Sequence, residues 1–409
     1  MAERRTEVLV IGAGPAGLAA AAAAAACGRR VLLVDDNADP GGQIWRGEGR
    51  AHLAVPARFE VRCGVRVVDA CGASAVLAES AGGVERLTFD RLVLATGARE
   101  RFLPFPGWTL PNVVGAGGLQ AMVKGGVPIA GKRVVIAGSG PLLLAVAAYL
   151  RSRGARSLLI AEQTGRLRLA RFVLGLAGAP QRLRQTLELR RALAGVPLLT
   201  DAWPLSAHGA GRLEEIRLRT RRGERGERCD LLACGFGLVP NTELAALLGC
   251  RVEAGCVAVD EHQATSVAGV YAAGEMTGIG GLDLSRIEGE IAGYAAGGDE
   301  RKARAGLGPR RRARRFARAL ERAFALREEL RELPDARTLL CRCEDVSVGR
   351  AARYPSWRAA KLHTRCGMGA CQGRICGAAA AFLFGWRCEH ARPPASPARI
   401  ATLAAQHEV

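Results

Sequence analysis

Glu7-Val-Leu-Val-Ile11, running straight into Gly12-Ala13-Gly14-Pro15-Ala16-Gly17, is the stretch on which the fold turns. An apolar run that ends in glycine reads as a buried parallel strand, and the Ala-rich residues up to Gly28 read as a helix. A second strand, Val31 to Val34, ends at Asp35, 18 residues past Gly17. Strand, glycine turn, helix, strand and acid together form the dinucleotide fingerprint, far more specific than glycines alone. Gly12 makes the tight turn, Gly14 lets a pyrophosphate approach the backbone, and Gly17 lets the helix pack on the sheet. Pro15 and Ala16 stand at the helix N-terminus, which faces the phosphates. Asp35 is placed to accept hydrogen bonds from a ribose, with Asp36 as the neighbouring candidate. An acid there favours FAD or NAD over NADP. Arg4-Arg5 and the apolar residues to Cys27 imitate a signal peptide, but the glycine pattern and the strand beyond favour folded structure.

Working outward, Pro40-Gly41-Gly42-Gln43-Ile44-Trp45 suits a loop pressed on a planar ring, with the Gln43 amide bonding a heterocycle edge. Residues 59–89 alternate apolar and polar positions, as short antiparallel strands do. Arg91-Leu-Val-Leu-Ala95-Thr96-Gly97 is a strand ending in a second turn where backbone meets a dinucleotide. Gly131 to Pro141 (G-K-R-V-V-I-A-G-S-G-P) opens another nucleotide-binding unit, whose returning strand, Ser157 to Ala161, ends at Glu162. Leu143 occupies its third glycine position, where it should hold the helix off the sheet and impair an NAD(P) site. Asp230 to Glu243 returns the chain to the first domain, and Cys234 there reads as a small buried residue. Gly269-Val-Tyr-Ala-Ala-Gly274-Glu275 is a strand closed by glycine and acid, followed by a helix from Ser285 to Ala296. Residues 301–332 have helical periodicity and read as a linker.

Five of the 13 cysteines, Cys341, Cys343, Cys366, Cys371 and Cys376, fall within one short C-terminal stretch. Four thiolates hold a [2Fe–2S] cluster, and four also suit tetrahedral zinc, although C-x-C followed by C-x4-C departs from the usual zinc knuckles. An odd, scattered set of cysteines does not look like a disulfide framework and points to a reducing, cytoplasmic setting. Net charge is +19, nearly all from Arg, with aromatics at only 5%; no nucleic-acid module accompanies the charge, so nucleic acid is not an expected partner. The basic run Pro309 to Arg315 reads as a solvated helix start or a docking face for an acidic protein partner. No segment is long and apolar enough to span a bilayer. Neither nucleotide unit carries C-x2-C, which excludes a thioredoxin-reductase-type active disulfide, and no histidine has a recognisable acid–base setting.

The Ala95-Thr-Gly segment resembles the FAD contact of two-dinucleotide-domain flavoprotein disulfide reductases. The longer stretch from Ala95 to Val114 (A-T-G-A-R-E-R-F-L-P-F-P-G-W-T-L-P-N-V-V) is similar to the FAD-binding α subunits of heteromeric amine dehydrogenases, the opine oxidase, D-hydroxyproline dehydrogenase and hydrogen cyanide synthase group. The cysteine stretch resembles the bacterioferritin-associated-ferredoxin-like [2Fe–2S] modules of those subunits. The resemblance covers nearly the whole chain, with residues 47–90 shorter than is usual. It implies an α/β fold of two Rossmann-like domains, the second inserted in the first, plus a small helical cluster domain. The expected division is 1–114 and 236–300 for FAD, 115–235 for the second unit, 301–337 as linker, 338–392 for the cluster and 393–409 as tail. It further implies that Gly274 and Glu275 face the FAD ribityl chain, where Asp is usual, and that the next helix aims its N-terminus at the flavin pyrimidine. The implied cluster ligands are Cys341, Cys343, Cys371 and Cys376, with Cys366 a bystander. The implied role is electron transfer beside a β subunit that carries its own FAD and oxidises an amino acid or opine at its C–N bond. A further implied partner is a small ferredoxin-like γ subunit. A second nucleotide or an interface flavin stays open. The rival readings are a self-sufficient NAD(P)H-dependent reductase and a non-catalytic redox-sensing or docking protein.

Overall fold

A computed structural model describes residues 1–47, 58–72, 74–175, 180–387 and 392–406. Two compact units emerge. The first comprises residues 1–99 and 239–318 with the C-terminal tail, the second residues 100–238 and 319–388. The expected boundary after residue 114 differs from this division for a clear reason. Val113–Gly115 is already a strand, paired in parallel with Leu231–Gly235, so residues 100–114 belong with the second sheet. Nor do the expected linker and cluster segments stand apart: residues 319–388 join the second unit, while Ala395 N–H donates to the Val68 carbonyl at 2.7 Å and ties the tail to the first.

In the first unit β1 (Ala2–Ile11), β2 (Val31–Asp35) and β3 (Glu60–Cys63) are followed by β4 (Arg66–Ala70), β5 (Ala75–Ser80) and β6 (Gly83–Leu94). Their order in the sheet is β3-β2-β1-β6-β5-β4, and Val270–Ala272 also pairs with β6. β1 runs parallel to both β2 and β6, with Ile11 opposite Val34 and Leu94, so strand ends gather on one edge. The stretch expected as antiparallel strands holds β4 and β5, paired antiparallel, but β3 runs parallel to β2; residue 73 of that stretch, and residues 48–57 of the segment 47–90 expected to be short, lie outside the described residues.

Helix α1 (Pro15–Ala25) explains its alanines by what it touches. A Cβ added at Gly289 would lie 2.1 Å from the Ala16 carbonyl oxygen, and one at Gly293 2.2 Å from that of Ala20. With about 3.6 residues per turn, a glycine every fourth residue lines one face of the helix Gly281–Gly297, and the two backbones meet. Larger side chains on either face would force them apart.

The second unit repeats the plan. Leu198–Thr200, Ser157–Glu162, Arg133–Gly138, Leu231–Gly235 and Val113–Gly115 form a parallel sheet in that order. Leu143 is 1% exposed in the core between this sheet and its helices. Its bulk is taken up by Gly235 on the neighbouring strand, where an added Cβ would stand 3.1 Å from Leu143 Cδ2. Glu100 accepts N–H bonds of 2.6 and 2.8 Å from Gly117 and Gly118 at the start of α2 (Ala116–Lys124). This carboxylate is a helix cap from outside the helix. Glu100→Ala is expected to lower stability by about 1–2 kcal/mol, read from the midpoint of chemical denaturation.

The cysteine-bearing module packs on this unit. Leu339–Cys341 and Val346–Ser347 pair antiparallel, helices Trp357–Thr364 and Cys376–Phe384 follow, and Trp108 Nε1 donates to the Leu339 carbonyl at 2.7 Å. Leu330, Leu333 and Phe382 join the core around Leu103, Phe105 and Trp203. Among the described residues no helix is long and apolar enough to cross a membrane.

Candidate functional site

The glycine turn after β1 gathers most of the residues expected there. A Cβ at Gly12 would meet the Ala95 carbonyl oxygen at 2.3 Å, and one at Gly17 the Gly12 carbonyl oxygen at 1.7 Å. Gly42 presses on Gly14, its added Cβ 3.1 Å from Gly14 Cα, while Gly41 N–H donates to Ala13 at 2.8 Å. Gly274, at φ +78°, abuts Ala16, with 2.8 Å between its added Cβ and that of Ala16. Asp35 Oδ2 accepts from Ala13 N–H at 2.5 Å, and Oδ1 from Asn37 N–H at 2.8 Å. Gln43 is exposed on the same loop as Gly42. At Gly14 and Gly97, by contrast, an added Cβ meets nothing within 4 Å among the described residues. Backbone is closed where the turn must be tight and open where a ligand must approach. The turn, with Pro15 at the head of α1, could therefore hold a dinucleotide pyrophosphate.

Two further groups brace this cradle, and the sequence reading passed over both. Asn241 Nδ2 donates to the Thr96 carbonyl at 2.9 Å, Thr96 Oγ1 donates to the Asn241 carbonyl at 2.8 Å, and Arg99 donates to Asn241 Oδ1 at 2.8 Å. The second is Glu288, fully buried. Its Oε2 accepts from Gly274 N–H at 3.3 Å and Thr277 Oγ1 at 2.9 Å; its Oε1 accepts from Arg310 Nε at 3.3 Å and Arg314 Nε at 2.9 Å. Arg310, 7% exposed, also donates to Gln263. The basic run therefore does not lie wholly in solvent: two of its arginines, one turn apart on the helix Leu307–Ala323, turn to a buried carboxylate. Burial pushes the Glu275 carboxyl above its usual range, while the Gly281 N–H pulls it back. Glu275 thus meets the first amide of the helix Gly281–Gly297, a helix that begins earlier than the expected Ser285.

In the C-terminal module the thiols of Cys341, Cys366 and Cys376, all buried, lie within 4.8 Å of one another. Cys343 and Cys371 form a second pair, 3.9 Å apart. Cys366, expected to stand aside, sits inside the buried group. Two thiolates on one tetrahedral metal, with bonds of about 2.3 Å, lie about 3.8 Å apart. The module accordingly offers two places for a metal, and one zinc ion would leave one of them unused. Neighbouring thiols at Cys366 and Cys376 and the amides of Gly367 and Glu344 hold the Cys341 thiol well below the usual thiol range, whereas its partners and burial push Cys376 up. Glycines shape the turn between the ligand candidates: an added Cβ at Gly367 would be 2.5 Å from the Trp357 ring, and one at Gly369 2.2 Å from Cys343 Cβ. His363 stacks on Tyr354, their ring centroids 4.9 Å apart, and Cys234 is fully buried in the core.

The profile of the pyridine nucleotide-disulphide oxidoreductase family matches residues 6–289. Hydrogen cyanide synthase subunit HcnB of Pseudomonas aeruginosa is 32% identical, over 90% of this chain and 90% of its own. An opine oxidase subunit of Rhizobium meliloti is 30% identical, over 97% of this chain and 87% of its own. Among solved structures, L-proline dehydrogenase from P. horikoshii shares the fold, with a TM-score of 0.67 at 16% identity over 98% of this chain and 80% of that one.

Proposed function

Since this chain belongs to the pyridine nucleotide-disulphide oxidoreductase family and is an oxidoreductase, we propose that it is the flavin and iron–sulfur electron-transfer subunit of a heteromeric amine dehydrogenase. The observation that carries the reading is the gathering of five thiols into two metal-sized groups in a chain that also holds an open dinucleotide cradle. FAD is assigned to the Gly12–Gly17 turn, with Asp35 at its ribose and Gly42, Gln43, Ala95, Thr96, Gly97, Gly274 and Glu275 around it. Cys341 and Cys376 of the buried group, with Cys343 and Cys371 of the second pair, would hold a [2Fe–2S] cluster. Bound together, flavin and cluster supply the change from two-electron to one-electron steps. The chain's own work is to fix both. Gly14 leaves room for the phosphates, the amides of Gly367 and Glu344 stabilise sulfur charge, and Trp108 anchors the cluster turn.

Amine oxidation belongs to a partner β subunit with its own FAD, and a small ferredoxin-like subunit completes the assembly in the cytoplasm. Support comes from relatives named as subunits, one of an opine oxidase and one of a hydrogen cyanide synthase. The substrate class is an amino acid or opine-type secondary amine. Purified protein is expected to carry flavin and iron, and anaerobic mixing with NADH or NADPH is expected to leave the flavin oxidised. Rapid bleaching by either nucleotide would overturn the reading, as would full-rate, amine-driven dye reduction by the partner subunit without this chain.

A further inference from the structure

The two glycine turns of this chain are built alike at the first glycine and differ at the second, Gly14 at φ −74° and Gly140 at φ +102°. In the first, Gly12 lies hard against the Ala95 carbonyl; in the second, an added Cβ at Gly138 would stand 1.9 Å from the Gly235 carbonyl oxygen. Gly14 and Gly140 are the corresponding second glycines. Among the described residues nothing lies within 4 Å of a Cβ added at Gly14, but at Gly140 the atom met is Phe324 Cγ, at 4.0 Å. Phe324 and Ala325 directly follow the helix Leu307–Ala323 and belong to the same compact unit as this turn.

We infer that Phe324 and Ala325 are an internal ligand of the second nucleotide fold, occupying its phosphate position and so excluding pyridine nucleotides as the source of electrons. The polar groups that should meet a dinucleotide are already bonded within the chain. Ser139 Oγ, inside the glycine turn, donates to the Phe324 carbonyl at 2.9 Å. Gln163 Nε2, just past the second strand, donates to the Ala325 carbonyl at 3.2 Å. Glu162 accepts from Gly140 N–H and Thr164 N–H at 2.8 Å each, as Asp35 does from Ala13 and Asn37 in the first turn, so the difference between the two turns rests on Ser139 and Gln163. The carbonyls of Phe324 and Ala325 thus stand in for phosphate oxygens. Gln163 and Thr164 are fully buried and Ser139 is 7% exposed, so a nucleotide cannot reach these groups without displacing the segment.

The segment is held on both sides. Phe324 meets Phe172 of α3 (Arg166–Gly175) edge to face at 5.4 Å. Arg327 donates to Asp201 at 2.7 Å and lies over the Trp203 ring, 5.0 Å from its centroid. Displacement would take the buried Ser139 hydroxyl from its acceptor, at a cost of about 1–3 kcal/mol, while Gln163 Nε2 keeps Ser139 Oγ and Thr164 Oγ1. This makes Phe324 and Ala325 determinants of donor specificity, whatever the thiols hold.

The test is hydrogen exchange on the full-length protein, alone and with NADH, NADPH or ATP at millimolar concentration. Residues 138–143 and 322–327 are expected to be protected without any nucleotide, and no nucleotide should change that protection. Protection confined to residues 12–17 would reflect the first cradle and supports the inference. Saturable binding with new protection at 138–143 overturns it. A second arm compares Ser139→Ala, which removes one bond to the segment and leaves the first cradle intact. Exchange over 322–327 should rise on the order of tenfold, the loss of about one hydrogen bond; an unchanged rate would show that the turn does not hold the segment.

Discussion

Cys371→Ser and Cys343→Ser are each expected to lose roughly nine-tenths or more of the iron, whereas Cys366→Ser keeps it. The reason is redundancy at one end of the site and none at the other. Cys343 and Cys371 face each other at 3.9 Å with no third thiol in their group among the described residues, so a serine at either leaves a metal one ligand short. Thiolate is the better ligand for iron–sulfur chemistry, and an alcohol in its place is a poor donor at neutral pH. At the buried end three thiols lie within 4.8 Å, while a tetrahedral iron bridged by two sulfides needs only two of them. Serine at Cys366 removes the surplus group. Iron assay and the EPR spectrum of the reduced protein check this. Full iron in Cys371→Ser with loss in Cys366→Ser would move the ligand set to Cys366.

The same residues show what a sequence can and cannot convey. The glycine turn was legible because its job is local: strand, turn and helix are contiguous, and sterics alone demand glycine at Gly12 and Gly17. The C-terminal turn was legible as a gathering of thiols for the same reason. Its ligand order was not, since burial of Cys366 depends on how Trp357 and the Gly367 turn fold over it. Leu143 carried an expectation of a helix held away from the sheet, yet the space it needs comes from Gly235, ninety-two positions later by residue number. Nothing near Leu143 signals that exchange. Likewise the occupant of the second nucleotide turn comes from the end of the linker helix. Separations of that kind are invisible to periodicity and motif spacing, which register only neighbours along the chain.

Glu288→Leu is expected to destabilise the protein by about 3–5 kcal/mol, because it breaks a buried ion pair and leaves the cations behind. Arg310 is 7% exposed and Glu288 wholly buried, so water cannot replace the lost carboxylate. Burial and the neighbouring Arg314 already push the Arg310 guanidinium below its usual pKa, and Glu288 is the group that pulls it back. In a protein of 409 residues the loss corresponds to a fall of about 4–6 °C in the thermal midpoint. A second effect separates this residue from an ordinary core position. Glu288 Oε2 accepts from Gly274 N–H and from Thr277 Oγ1, on either side of Glu275, so the turn assigned to the flavin loses its brace as well. Flavin retention should fall more in Glu288→Leu than in Arg314→Met, which leaves those two bonds intact. Glu288→Gln keeps the shape and an acceptor oxygen but not the charge, and should fall between. Replacing all three groups, Glu288→Leu with Arg310→Met and Arg314→Met, removes the stranded charges and should recover part of the stability without restoring flavin retention. Equal flavin retention in Glu288→Leu and the wild type would show that the carboxylate anchors only the helix Leu307–Ala323 and has no part in shaping the cradle.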